Sequence, residues 1–155
     1  MAAKFACAQW PWGVETKEQF IQSCKDMSEV GYAYFESVKT FIDTFKDNPV
    51  EFKRICNDYN MHPISFYFHL TCDRQADIEE LKRKIDFVAD NGIKTICVQA
   101  GGFQPGVVAK PATEAELRDT LETVNEYGKI CKPYGILPCI HPHHKFVICD
   151  SGIVY

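Results

Sequence analysis

Short apolar runs alternate with amphipathic segments along most of the chain. The pattern predicts a strand from Lys4 to Gln9 and then a helix opened by Thr16, with Gln19 placed to complete a capping box. Phe20, Cys24 and Met27 share that helix's apolar face, and Gly31 ends it. Tyr32 to Val38 forms the second strand. Asn48 caps the next helix, with Pro49 at its first position, Glu51 in its first turn and Phe52, Ile55 and Cys56 facing inward; Asn60 supplies a left-handed stop. Pro63 to Leu70 is the third strand. From about Asp77 a longer helix carries Ile78, Leu81, Ile85 and Val88 on one stripe and closes at Asn91-Gly92, ahead of a strand from Lys94 to Gln99. Thr113 and Glu116 form a second capping box, Leu117, Leu121, Val124 and Cys131 mark a buried stripe, and Gly135 precedes the strand from Ile136 to His141.

Strands alternating with helices imply a parallel sheet with right-handed crossovers. All five strands close on a polar residue at the same pleat position: Gln9, Glu36, His69, Gln99 and His141. Counting back by twos gives Cys7 and Phe5, Tyr34 and Tyr32, Tyr67 and Ser65, Cys97 and Thr95, Cys139 and Leu137, a mixed and partly polar face. The opposite face holds Ala6 and Ala8, Ala33 and Phe35, Ile64, Phe66 and Phe68, Ile96 and Val98, and Ile136 and Ile140, which suits a layer of helices. An open doubly wound sheet needs apolar residues on both faces, whereas a barrel keeps its helices outside and lets the inner face turn polar toward the C-terminal mouth. The expected fold is α/β, a partial TIM (β/α)8 barrel of about five parallel strands with helices on the outer face. On this reading residues 1–155 form a single domain. It makes up about five-eighths of a barrel that needs roughly 200 residues or more, so the sequence is expected to be truncated. Its two open sheet edges call for a covering partner, either a second copy or another chain.

Composition acts mainly by exclusion. With 155 residues, 46% hydrophobic and 25% charged, the chain has the make-up of a globular domain rather than a disordered or fibrous segment. A net charge of -4, a pI near 5.7 and no cluster of Lys and Arg argue against a nucleic-acid partner. The first residues lack a signal peptide's apolar stretch and no apolar run is long enough to span a bilayer, so the expectation is a cytoplasmic protein with no membrane partner. Eight cysteines suggest disulfides in a small secreted domain. Here, however, Cys7, Cys97 and Cys139 lie in apolar strands, Cys24, Cys56 and Cys131 lie on apolar helix faces, and none stands at C-x-x-C spacing. They are expected to be reduced core residues.

Barrel active sites form at the C-terminal ends of the strands, which makes Glu36, His69, Gln99, His141 and His143 the candidates. In His141-Pro142-His143-His144, His141 and His143 stand two apart in an extended segment and point the same way, as a metal-binding or proton-shuttling pair requires; simple exposure is the plainer role. Glu36 suits a general base, or a structural carboxylate paired with a histidine or Lys39. His69 suits catalysis by orienting Glu36 or contacting substrate, or a satisfied interior position. Gln99 cannot titrate and would hydrogen-bond a polar ligand such as a sugar hydroxyl. Trp12, in Trp10-Pro11-Trp12-Gly13, offers a flat face for stacking on a sugar ring, the alternative being to plug the barrel end. Gly101-Gly102 lacks the wider phosphate-binding pattern and is better explained by close packing.

Three stretches carry a family resemblance. The first strand runs into Gln9-Trp10-Pro11-Trp12-Gly13, Gly31-Tyr32-Ala33-Tyr34-Phe35-Glu36 matches a second strand with a terminal glutamate, and His141-Pro142-His143 matches a fifth strand. In order and placement they resemble the xylose-isomerase-like TIM barrels, which include sugar phosphate isomerases and epimerases, inosose dehydratases and hydroxypyruvate isomerases. The resemblance implies a sugar or polyol substrate and a divalent metal, often manganese, that assists proton transfer next to a carbonyl while a carboxylate moves the proton. In the family that metal is held by carboxylates and a histidine at the ends of the later strands; in this sequence the candidates are Glu36, His69 and His141 for catalysis, Trp12, Gln99 and His143 for substrate binding, and His141 and His143 as an incomplete set of metal contacts. The family's fifth strand continues into Gly-Thr and a glutamate, whereas Lys145 to Asp150 follow here, and the strands that would carry the other ligands are missing.

Two readings compete: a sugar isomerase, epimerase or dehydratase represented by part of its barrel, and a noncatalytic half-barrel that self-associates or pairs with another subunit. A DNA-repair nuclease of the same barrel type is disfavoured by the acidic balance.

Overall fold

The structure is a computed structural model that describes residues 5–99 and 113–142. Five strands, β1 (Ala6–Ala8), β2 (Tyr34–Val38), β3 (His62–His69), β4 (Thr95–Gln99) and β5 (Leu137–His141), form one sheet in the order β1-β2-β3-β4-β5, as a partial TIM barrel requires. Between them lie α1 (Lys17–Glu29), α2 (Lys39–Phe45), α3 (Pro49–Asp58), α4 (Arg74–Asp90) and α5 (Glu114–Cys131), with short 3-10 turns at Trp10–Trp12 and Lys132–Tyr134. The chain groups into two compact units, Met1–Tyr67 with Asp86–Thr95, and Phe68–Ile85 with Ile96–Tyr155.

Local signals set most boundaries. Thr16 and Gln19, and Thr113 and Glu116, form the two capping boxes, and Asn48 accepts from Glu51 N–H ahead of Pro49. Asn60 adopts φ 53° and Gly92 φ 72°, the left-handed stops after α3 and α4. α4 starts at Arg74, a turn before the expected Asp77, because Asp73 Oδ1 accepts Ala76 N–H at 3.1 Å and caps it. The pattern did not predict α2: it is seven residues long and its N-cap, Val38, has no side-chain capping bond. Burial of Phe41, Ile42 and Phe45 holds it in place.

Strand register corrects the face assignment of β1. Ala6 pairs with Tyr34, Cys7 with Phe35 and Ala8 with Glu36, and partners in a parallel ladder share a face. Ala6 and Ala8, not Cys7, therefore stand beside Glu36, while Cys7 falls on the helix side with the buried Phe35. Between β2 and β3 the register slips at Phe35/Glu36, with Pro63 opposite Phe35 and Ser65 opposite Glu36. Pro63 has no N–H for the ladder, and the extra residue, Ile64, is 38% exposed rather than packed under helices.

In the first unit the helix-side core is aromatic. The Phe20 ring lies 4.5 Å from Phe41, 5.5 Å from Phe45, 5.5 Å from Phe52 and 5.7 Å from Phe35, centroid to centroid. Phe87 extends the cluster to Phe52 and Phe66. In the second unit the buried residues of α5 are Thr120, Thr123, Tyr127 and Cys131, while the expected Leu117, Leu121 and Val124 are half-buried. The two threonine hydroxyls return to Glu116 and Asp119 carbonyls, each at 2.8 Å, which lets them enter an apolar interface. The fully buried Tyr127 packs edge-on against Phe68 at 6.3 Å, and its hydroxyl donates to Asp77 O at 3.0 Å.

The seven cysteines among the described residues are free. Cys24, Cys56 and Cys131 are buried as expected, but Cys7 and Cys97 are only half-buried and Cys139 is exposed, because β5 buries neither Leu137 nor Cys139. Burial pushes the Cys24 thiol from 9.0 up to about 12 and Cys131 up to about 11, and raises Cys56 as well.

Phe20→Ala should lower unfolding free energy by about 3–5 kcal/mol in a denaturant titration, whereas Val50→Ala, at a 75% exposed site, should leave it within about 0.5 kcal/mol. A thiol reagent at mildly alkaline pH should label Cys139 well before Cys24 or Cys131, read by peptide mass. The buried thiols' folded values exceed their unfolded value of 9.0, so their contribution to stability is complete below about pH 9 and falls as pH rises toward about 12.

Candidate active site

In the first unit, Glu36 sits half-buried near the C-terminal end of β2, between Ala8 and Ser65 in register. Its main-chain oxygen accepts Gln9 N–H at 3.0 Å, which brings the end of β1 level with it. Gln9 itself is 1% exposed and its Nε2 donates to Ser23 Oγ of α1 at 2.7 Å, so this first of the five polar strand ends faces the helices. Gln9 lies two residues after Cys7, so the corrected register already turns it to the helix side, and at φ -80° and ψ 8° it begins the 3-10 turn.

The two tryptophans of that turn go different ways. Trp12 Nε1–H donates to Asp26 Oδ2 at 2.8 Å, which ties the ring to α1. That bond, followed by the Gln22 amide, holds the Asp26 carboxyl below its usual range. Trp10 is 48% exposed and stands edge-on to Tyr67, with centroids 5.1 Å apart and planes at 83°. Tyr67 pairs with Val38 on the face that carries Glu36 and Ser65, so Trp10 shares that face. Lys39, the first residue of α2, is 8% exposed and lies three residues beyond Glu36. The pleat count had put Tyr67 and Ser65 on this face, but nothing in the pattern singled out Trp10 over Trp12.

In the second unit, His69 is half-buried at the end of β3, and Leu70 N–H donates to Gln99 O at 3.0 Å, which sets the ends of β3 and β4 side by side. Gln99 is 3% exposed and suited to a fixed hydrogen bond. His141 ends β5 on an exposed strand, and His143 lies outside the described residues.

Among the described residues, no three His, Cys, Asp or Glu side chains come together in a way that could hold a metal ion. The described side chains thus do not make up the implied metal site on their own. No helix among them is long and apolar enough to cross a membrane.

The sequence profile of the xylose isomerase-like TIM barrel matches residues 24–151. The chain belongs to this family. No curated protein matches it in sequence. Among solved structures, a xylose isomerase-like TIM barrel protein from Mycobacterium smegmatis in complex with magnesium is similar at TM-score 0.76 and 12% identity, over 92% of this chain and 56% of that one. The D-allulose 3-epimerase of Methylomonas sp. in complex with D-allulose gives TM-score 0.73 at 15% identity, covering 92% and 52%. A sugar phosphate isomerase/epimerase from Parabacteroides distasonis gives 0.64 at 19%, covering 92% and 52%. At such identities the likeness is one of fold, and the chain spans about half the length of these family members.

Proposed function

We propose that this xylose isomerase-like chain takes part in isomerising or epimerising a sugar or polyol by proton transfer next to a carbonyl. The observation that carries the reading is Glu36, a half-buried carboxylate near the end of a barrel strand, on the face that also presents the Trp10–Tyr67 aromatic pair. A carboxylate there suits the removal of a proton from carbon: the C–H bond breaks, the proton goes to Glu36 and the electron pair moves into the neighbouring carbonyl to give an enediolate. Delivery of a proton to the opposite face of the same carbon by a second acid on that side epimerises the sugar, while return of the Glu36 proton to the neighbouring carbon, with the hydroxyl proton passing between the two oxygens, isomerises it. The exposed face of Trp10 suits stacking on the C–H face of the sugar, a role moved here from Trp12 because the Trp12 ring is bonded to α1. His69, Gln99 and His141 are assigned hydrogen bonds to substrate oxygens, with His143 as a further contact. A divalent cation such as manganese serves as cofactor in this reading, and a magnesium-bound relative supports it. A cytoplasmic location belongs to the same reading.

The test is solvent-proton exchange. The protein with ketohexoses in deuterium oxide and added manganese or magnesium should incorporate deuterium next to the carbonyl, seen by proton NMR. Glu36→Gln should lower that rate by about 10²–10⁴-fold, and Trp10→Ala should raise KM more than it lowers kcat. No exchange with any sugar in a broad panel would refute the assignment.

A second reading rests on a separate observation. Phe5, just ahead of β1, is 76% exposed, and Leu137 and Ile140 on β5 are 62% and 42% exposed, on the strands at the two ends of the described sheet order. Apolar side chains at strand edges favour a covering partner, a second copy of this chain or another subunit. Sedimentation at micromolar concentration should then give a mass well above 17.7 kDa; a stable monomer would overturn self-association.

A further inference from the structure

Between His69 and α4 the chain has four residues, 70–73, in which to leave the sheet and enter a helix. Leu70 N–H makes a sheet bond to Gln99 O, and two residues later Cys72 adopts φ 68°, a conformation disfavoured for a side chain of any size. Such a backbone persists only where its surroundings over-determine it. Here they do so through one carboxylate. Both oxygens of Asp77 accept Thr71 N–H, at 3.0 and 2.9 Å, and Oδ1 accepts the Thr71 hydroxyl at 3.0 Å. Asp77 is 1% exposed while Thr71 is exposed, so the carboxylate is buried and reaches its donors at the surface. Its own backbone is anchored twice, N–H to Asp73 O at 2.9 Å and O to the Tyr127 hydroxyl at 3.0 Å.

The helix does not need this carboxylate in order to start. Asp73 already fills the capping role through Ala76 N–H, and Thr71 Oγ1 accepts Asp73 N–H at 3.3 Å. A second carboxylate, buried one turn later, carries a desolvation cost, and it reaches backward to accept the amide two residues after His69.

We propose that Asp77 is a positioning residue for His69, fixing through Thr71 the turn that holds the imidazole at the end of β3. This rests on the assignment of His69 to the substrate site, but its test does not require activity. NMR spectra of the full chain, isotope-labelled on histidine and on backbone nitrogen, report the Thr71 amide and the His69 ring separately. Asp77→Asn should speed Thr71 amide exchange by at least about tenfold and broaden or double the His69 ring resonances. Thr71→Val removes the hydroxyl bond while keeping the amide, and should give a smaller change of the same kind in a chain that folds even if Asp77→Asn does not. Tyr127→Phe removes a comparable bond to the Asp77 main chain, and should lower stability while leaving the His69 ring unchanged. Unaltered His69 resonances in both Asp77→Asn and Thr71→Val, or an equal change in Tyr127→Phe, would overturn the proposal. If the wild type exchanges sugar protons, Asp77→Asn should lower kcat with little change in KM. If the wild type is inactive, the sugar reading fails while the NMR comparison still decides the role of Asp77.

Discussion

The packing of phenylalanines around Phe20 is the constraint on which the first unit depends. Rings from α1, α2, α3 and β2 meet there, and through Phe87 the cluster reaches Phe66 on β3. A volume filled with aromatic rings has no room for unpaired polar groups, so each strand must turn its polar residues to the other face. Glu36, Ser65 and Tyr67 obey that rule. Gln9 and Ser37 do not: both are buried, and Ser37 falls on the same face as Phe35, the helix side. Ser23 takes the Gln9 amide, but Gln9 Oε1 and Ser37 Oγ are left without a hydrogen-bond partner. These two atoms mark where the division between an apolar outer face and a polar inner one is least complete.

What could be read in the sequence was what depends on near neighbours. Capping boxes, the Asn48-Pro49 start and the left-handed stops at Asn60 and Gly92 are each set within a few residues, and each stands where the pattern placed it. Strand register is a relation between distant segments, and there the period-2 count failed for β1, where Ala8 rather than Cys7 faces with Glu36. The buried stripe of α5 escaped for a related reason. Thr120 and Thr123 count as polar in any hydropathy pattern, yet their hydroxyls are satisfied within the helix and their methyl groups are free to pack. The short α2 carries no local start signal and owes its existence to the rings it buries.

The candidate site shows the same split between local and distant information. The strand ends became the candidates through the alternation of strands and helices, which implies a barrel, and the family profile over residues 24–151 is that of a barrel. The sequence could nominate Glu36, His69, Gln99 and His141, because each closes an apolar run. It could not show that the Gln9 side chain turns away, nor that the aromatic neighbour on the Glu36 face comes from the loop after β1. Since the chain spans about half the length of its structural relatives, a residue on this face is best judged by what already holds it in place.

Trp10 and Trp12 differ in what holds them. In an extended loop, residues two apart point the same way, and the two rings would form a single platform. Pro11 and the left-handed Gly13 instead frame a 3-10 turn, in which side chains advance by about 120° per residue and positions two apart diverge. One indole is therefore free to meet Tyr67 at the strand ends while the other returns to Asp26 on α1. The Trp12–Asp26 bond fastens the turn to the helix from one side, and the sheet bond from Gln9 N–H to Glu36 O fastens it from the other. With both ends of the turn fixed, the Trp10 ring is set against Tyr67, on the face of the sheet that carries Glu36.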